Sequence, residues 1–227
     1  MAILRRLSDE PLKLSHIASR LEFTVTETSR HLQRLEDIGL IQKESDGLYT
    51  ATAYATLVLS LLPGLDFTSR NRAYFSEHSM SAIPPKFRNR MGELSTGKPL
   101  KDTMTTFSFI PRMILDAKEY AFSMKDSPIP LHGYETLNVQ IDNRSILQED
   151  RVYIGERLLE GVTRRFLPKV EVFLLVTEKE ALFSAPYLNG NIDYCSFMSD
   201  DPNFKNWCKE LFLHFWEKAK PNPSISS

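Results

Sequence analysis

The stretch Gly92-Glu93-Leu94-Ser95-Thr96-Gly97-Lys98-Pro99 comes within one residue of a phosphate-binding loop. In such a loop backbone amides cradle phosphates and a closing Ser or Thr ligates magnesium. Pro99 holds the closing position, and the pattern ahead of the loop is helical where a strand is needed. Nucleotide hydrolysis is therefore not expected. His31 has no other His or Cys at helical ligand spacing, and its i, i+4 relation to Leu35 predicts a half-buried packing role. The two cysteines, Cys195 and Cys208, are too few for a disulfide framework or a Cys-rich zinc site and read as packing residues. No nucleophile, base and orienting group can be assembled from the sequence, so neither an enzyme nor a bound metal or cofactor is expected.

The polar constellation with the clearest chemistry lies between residues 24 and 43. At a 3.6-residue period Thr26, Ser29, Arg30 and Gln33 fall opposite Leu32 and Leu35, a face that fits a DNA major groove. Arg30 suits guanine and Gln33 suits adenine or a phosphate, while Arg34 and Lys43 suit phosphates. With 28 Lys and Arg against 29 Asp and Glu, no global field draws the chain to nucleic acid. The first fifty residues carry one more acid than base, so double-stranded DNA would have to be held by local contacts and by a dimer.

Those residues need a frame. Leu12, Leu14, Ile17, Ala18 and Leu21 predict a helix from about Lys13 to Glu22. Thr24-Val25-Thr26-Glu27 fits a capping box that starts a second helix, and Gly39 is placed to stop it. Two short helices across a tight turn make a helix-turn-helix. Asp46-Gly47 then predicts a hairpin with a type I′ turn, the wing. A further helix from Ala53 to Leu62 carries Leu57, Val58, Leu59, Leu61 and Leu62, too many apolar groups for one face, which predicts a homodimer contact. Pro63-Gly64 should end it, and a more polar helix should run from Asp66 to His78.

From Ser81 the pattern is mixed α/β. A helix is expected from Phe87 to Leu94, and another from Thr106 to Glu119 interrupted near Pro111. Strands are expected at Tyr120 to Met124, Leu137 to Ile141, Val162 to Leu167, Val170 to Val176, Ala181 to Ala185 and Tyr194 to Met198. A helix from Arg151 to Glu160 should separate the second from the third, and Asn203 to Lys218 should form a last amphipathic helix. Polar residues at strand ends, Lys125, Asp126, Asp142, Arg144 and Thr177, are the candidates for a small-molecule site. The N-terminus places charge where a signal peptide needs an apolar run, and Leu48 to Leu65 is broken by Tyr, Thr, Pro and Gly. A cytoplasmic protein without a membrane span is expected.

The stretch Thr24 to Ile41, with Ser29-Arg30-His31-Leu32, Leu35 and Gly39-Leu40, resembles the recognition helix of ArsR-like winged-helix regulators. Relative to those regulators, the helix before the turn is shortened to roughly Ala2 through Leu7. Phe75-Ser76-Glu77-His78, Ile83-Pro84, Arg90-Met91-Gly92-Glu93-Leu94, Gly190-Asn191-Ile192-Asp193-Tyr194 and the run from Asp201 to Phe212 resemble archaeal regulators with a middle domain of the methanogenesis-regulatory Fil type. Lys118-Glu119-Tyr120 leading into a strand resembles phospholipase-D-like sensor domains, whose catalytic relatives need His followed two residues later by Lys. None of His16, His31, His78, His132 or His214 has it. The resemblances imply an α+β chain: a winged helix-turn-helix in 1–52, connecting and dimerisation helices in 53–80, a mixed α/β phospholipase-D-like sensor without catalytic residues in 81–220, and a disordered tail in 221–227. The function implied is a DNA-binding, ligand-responsive transcription regulator. The alternatives are a winged helix used for protein contacts and a phospholipase-D-like or nucleotide-binding enzyme.

Overall fold

The computed structural model describes residues 2–126, 141–151 and 161–221, and the chain divides into two compact units, Met1–Leu65 and Asp66–Ser227. The expected tail in 222–227, the helix expected over 152–160 and the strand residues 137–140 lie outside the described residues.

In the first unit, α1 (Ala2–Asp9) buries Ile3, Leu4 and Leu7, spaced so that one face meets the core. β1 (Leu12–Lys13) leads into α2 (Leu14–Leu21), which buries Ile17 and Ala18. The turn after α2 is closed by Glu22 in the left-handed region (φ 56°) and by the Phe23 amide donating to the Ala18 carbonyl at 3.0 Å. α3 (Val25–Asp37) follows, then β2 (Ile41–Lys43) and β3 (Leu48–Ala51). The three strands form an antiparallel sheet in the order β1-β3-β2, the strand arrangement of a winged helix. Its core joins Ile3, Leu4, Leu7, Leu12, Ile17, Leu32, Ile41, Tyr49 and Ala55.

The wing turn differs from the expected type I′. Only Gly47 has positive φ (82°), and the Gly47 amide donates to Glu44 while the Glu44 amide donates to Leu48. That is a type I turn followed by a left-handed glycine, the three-residue hairpin loop. Asp46 keeps ordinary φ because its carboxylate is spent on the Leu48 amide, 3.1 Å away.

α4 (Ala53–Arg70) runs through Pro63-Gly64, where a break was expected, and the chain breaks only at Asn71, before α5 (Arg72–Glu77). Pro63 forfeits one amide donor, but cooperative propagation and packing at both ends, at Ala55 and at Phe67, carry the helix across it. α6 (Pro85–Arg88) and a 3-10 turn (Met91–Leu94) come next, followed by β4 (Lys98–Pro99), an edge strand within the would-be phosphate loop. Gly97 is there for packing: a Cβ would lie 2.7 Å from Phe204 Cε2.

α7 (Thr103–Asp116) also continues through its proline, Pro111, held by Asp102 accepting from the Thr105 amide and by buried Ile110, Met113 and Ile114. β5 (Tyr120–Met124), β6 (Asp142–Gln148), β7 (Thr163–Leu167), β8 (Phe173–Thr177), β9 (Ala181–Ser184) and β10 (Phe197–Ser199) precede α8 (Pro202–Lys218). β6 begins at residues read as a polar strand end. Asp142-Asn143-Arg144 are poor strand formers, but pairing with β5 and β7 and burial of Ser145, Ile146 and Leu147 override local propensity. β10 starts later than expected because the Asp193 carboxylate takes the Cys195 amide at 2.9 Å, and β8 starts later because the Val170 amide donates to the Gln148 side chain.

Among the described residues the second unit's sheet has seven strands in the order β4-β10-β9-β8-β5-β6-β7; β5, β6 and β7 are parallel and the other pairings antiparallel. α8 buries Phe204, Trp207, Leu211 and Phe212 on the face of Phe122, Leu174, Val176 and Phe183. α7 covers the opposite face at Phe173, Leu175 and Leu182. No helix among the described residues is long and apolar enough to cross a membrane.

Candidate nucleic-acid interface

α3 is built to begin at one residue. The Thr24 hydroxyl accepts from the Glu27 amide (3.2 Å), and the Glu27 carboxylate accepts from the Thr24 amide (3.0 Å) and hydroxyl (2.7 Å). Those bonds hold the Glu27 carboxyl below its ordinary range. The helix is seated through buried Thr28, whose hydroxyl donates to the Thr24 carbonyl, and through Leu32 at 1% exposure.

With Thr28, Leu32 and Leu35 facing inward, the helical period turns Thr26, Arg30, Gln33 and Asp37 outward, with Ser29 and Arg34 on the flanks. All six predicted contact residues, Thr26, Ser29, Arg30, Gln33, Arg34 and Lys43, are exposed. The five on α3 form one surface, and Lys43 stands apart on β2 beneath the wing turn, its ammonium 5.7 Å from the centre of the Tyr49 ring. Neither Arg30 nor Arg34 enters an ion pair among the described residues, so both forks are free to meet an external acceptor. Gln33 is different: its amide donates to Asp37 at 2.8 Å, so it must leave that carboxylate before it can read a base.

His31 corrects the expectation of a half-buried packing residue. It is exposed, because it lies 100° of helical rotation from Leu32, and its ring sits 5.9 Å from that of Phe23. Phe23 (40% exposed) and Val25 (60%) add apolar surface beside the start of α3. The sequence reading passed over both, since single exposed apolar residues carry no periodic signal.

The five candidate ligand residues do not converge. Lys125 and Asp126 follow the C-terminal end of β5, whereas Asp142 opens β6 opposite Tyr120, at the other end of the strand pair. Arg144 clamps Asp142 with two bonds of 2.8 and 2.7 Å and lies over Phe122 and Trp216, on the α8 face. Thr177 is buried, its hydroxyl occupied by the tight turn to Glu180. Asp142 and Arg144 depart from the expectation because 142–148 is itself a strand and not the end of one, and Thr177 because β8 runs antiparallel to β5, which puts its end level with the start of β5. A buried pair in the second unit, His78 Nε2 and Asp193 Oδ2 at 2.8 Å, joins two of the segments that carry the Fil-type resemblance, and the Tyr74 ring, which the sequence did not single out, stacks on His78 at 3.7 Å.

Residues 1–43 match the family described as bacterial regulatory protein, arsR family. No curated protein matches the chain. Among solved structures it is similar to TrmBL2, described as an archaeal chromatin protein that shows a novel mode of DNA binding, at 16% identity and a TM-score of 0.42, over 93% of this chain and 88% of that one. The family match is confined to the first unit.

Proposed function

We propose that this chain is a DNA-binding transcription regulator that acts as a homodimer and responds to a small molecule bound by its second unit. The observation that carries the DNA reading is the capped, core-anchored α3, whose outward surface presents Thr26, Ser29 and the free guanidinium groups of Arg30 and Arg34. In this reading α3 enters the major groove, Arg30 forks onto a guanine, and Arg34 and Lys43 hold phosphates. The ArsR-type match of residues 1–43 supports the same assignment.

Dimerisation is supported by α4. Tyr54, Leu57, Leu61 and Leu65 recur at steps of three and four and stay 56–72% exposed, while Ala55 and Leu59 of the same helix face the core of the first unit. A two-fold pair of such heads reads two half-sites and offsets the weak local charge. The second unit, in our reading a phospholipase-D-like sensor of the Fil type, has no catalytic role. Its mixed sheet, with parallel strand ends on one side, supports a ligand site. A ligand there acts on transcription only through different affinities for DNA-competent and DNA-incompetent states.

The apolar exposure of Phe23 and Val25 favours a second reading, in which the winged helix docks a protein. Fluorescence anisotropy with duplexes enriched from a random pool separates the two. The regulator reading expects one enriched sequence bound at least ~1000-fold more tightly than random duplex; uniform weak binding to every duplex would leave the protein-docking reading.

A further inference from the structure

Val25 opens α3 but does not belong to the core of the first unit. Seven residues separate it from Leu32, which puts the two within about 20° of helical rotation, so its phase is that of a buried position. It is 60% exposed all the same, against 1% for Leu32 and 0% for Thr28. The first turn of α3 therefore overhangs the core, and a β-branched side chain stands in water at its tip. Nothing local favours valine there. It is a middling helix former, and the Thr24–Glu27 bonds fix the start of the helix without it. Phe23 leans on His31, with 5.9 Å between ring centres, and His31 lies about 120° of rotation away from Val25.

The position of Val25 is continuous with the proposed DNA surface. A recognition helix meets base edges with the residues of its N-terminal part. Val25 directly precedes Thr26 and lies about 40° of rotation from exposed Ser29 on the next turn. The same end of α3 carries the Glu27 carboxylate, bonded to the Thr24 amide and hydroxyl, and a carboxylate repels phosphate. Contact there falls to uncharged groups. In the major groove the one apolar group that a base pair presents is the C5-methyl of thymine, which alkyl side chains cover.

We infer that Val25 reads thymine: on DNA its methyl groups cover the C5-methyl of one thymine in each half-site. The inference rests on the DNA reading of α3 and adds a base preference to the guanine assigned to Arg30.

The test uses the full chain and the enriched duplex, with each thymine replaced in turn by uracil, which removes the C5-methyl alone. Anisotropy should find a position in each half-site where wild type loses roughly 3- to 5-fold, the worth of one buried methyl group. There Val25→Ala should bind the thymine and uracil duplexes alike. Ile38→Ala, which shortens a 61%-exposed side chain at the far end of α3, should keep the wild-type difference. The urea midpoint of Val25→Ala should equal or exceed that of wild type; a lower one would make Val25 part of the fold and overturn the inference. It is overturned equally by a wild type indifferent to uracil at every position, by an enriched sequence without thymine, or by a Val25→Ala chain that keeps the difference. A Val25→Ala chain that binds the enriched duplex as tightly as wild type also overturns it, and leaves the exposed valine to a protein partner. If no sequence is enriched, the DNA reading fails and the inference with it; if one is enriched and uracil changes nothing, only the thymine assignment falls.

Discussion

Leu61→Ala gives the dimer reading a number. Leu61 is 72% exposed on the outward stripe of α4, between Leu57 at 57% and Leu65 at 64%. Fully burying a leucine is worth about 1.5–3 kcal/mol, so covering what remains exposed contributes about 1–2 kcal/mol, and truncation to Ala removes most of it. A two-fold contact counts the change twice, for a loss of about 2–3 kcal/mol, or roughly 30- to 150-fold in the dimer Kd. Because the side chain touches so little of its own protomer, the unpaired chain should lose no more than about 0.5 kcal/mol. Sedimentation equilibrium across a concentration series measures the Kd, with Leu188→Ala as a control, a similarly exposed leucine in a turn of the second unit. A Leu61→Ala chain that associates as tightly as wild type, or a wild type that stays monomeric at micromolar concentration, would refute the reasoning.

Thr24→Ala should cost about 1 kcal/mol by removing the α3 cap, read as a lower denaturant midpoint with an unchanged m-value. The Glu27 half of that cap has a folded pKa below its ordinary 4.5, so its contribution is present above that value and fades as pH falls through the depressed one; an acid titration of wild type should show this and Glu27→Gln should not. Gly97→Ala should destabilise by about 1–3 kcal/mol, since the new methyl meets Phe204 and the Leu94 carbonyl, and thermal melting checks it. Asp193→Ala strands His78 Nε2 and the Cys195 amide in the interior, for an expected loss of about 2–5 kcal/mol by urea unfolding; near-wild-type stability would mean that the pair carries little.

The first unit was legible because its signals are local. The capping box at Thr24, the spacing of Leu12, Ile17 and Leu32, and the Asp-Gly hairpin each follow from neighbouring residues, and the structure contains all three, the hairpin with a different turn type from the one expected. Pro63 and Pro111 misled for the opposite reason. A proline weighs heavily in a local reading, whereas the packing that carries α4 and α7 past it comes from distant residues. β6 was missed at Asp142 and β4 at Lys98 because both are made strands by their partners. The exposed face of α3, with Thr26, Arg30 and Gln33, was readable from helical phase alone. The ligand residues were not, since which strand ends share an edge depends on the strand order β8-β5-β6-β7, which no spacing encodes.

The central claim is that α3 reads sequence, and the direct test is Arg30→Ala measured by anisotropy on the enriched duplex and on a random duplex of equal length. The guanidinium is exposed and outside any ion pair among the described residues, so its removal should leave the fold intact. The expected loss is about 1–3 kcal/mol, roughly 5- to 150-fold, on the enriched duplex with random binding little changed, whereas Lys43→Ala weakens both alike and lowers the salt dependence. Equal affinities of wild type and Arg30→Ala for both duplexes would contradict it.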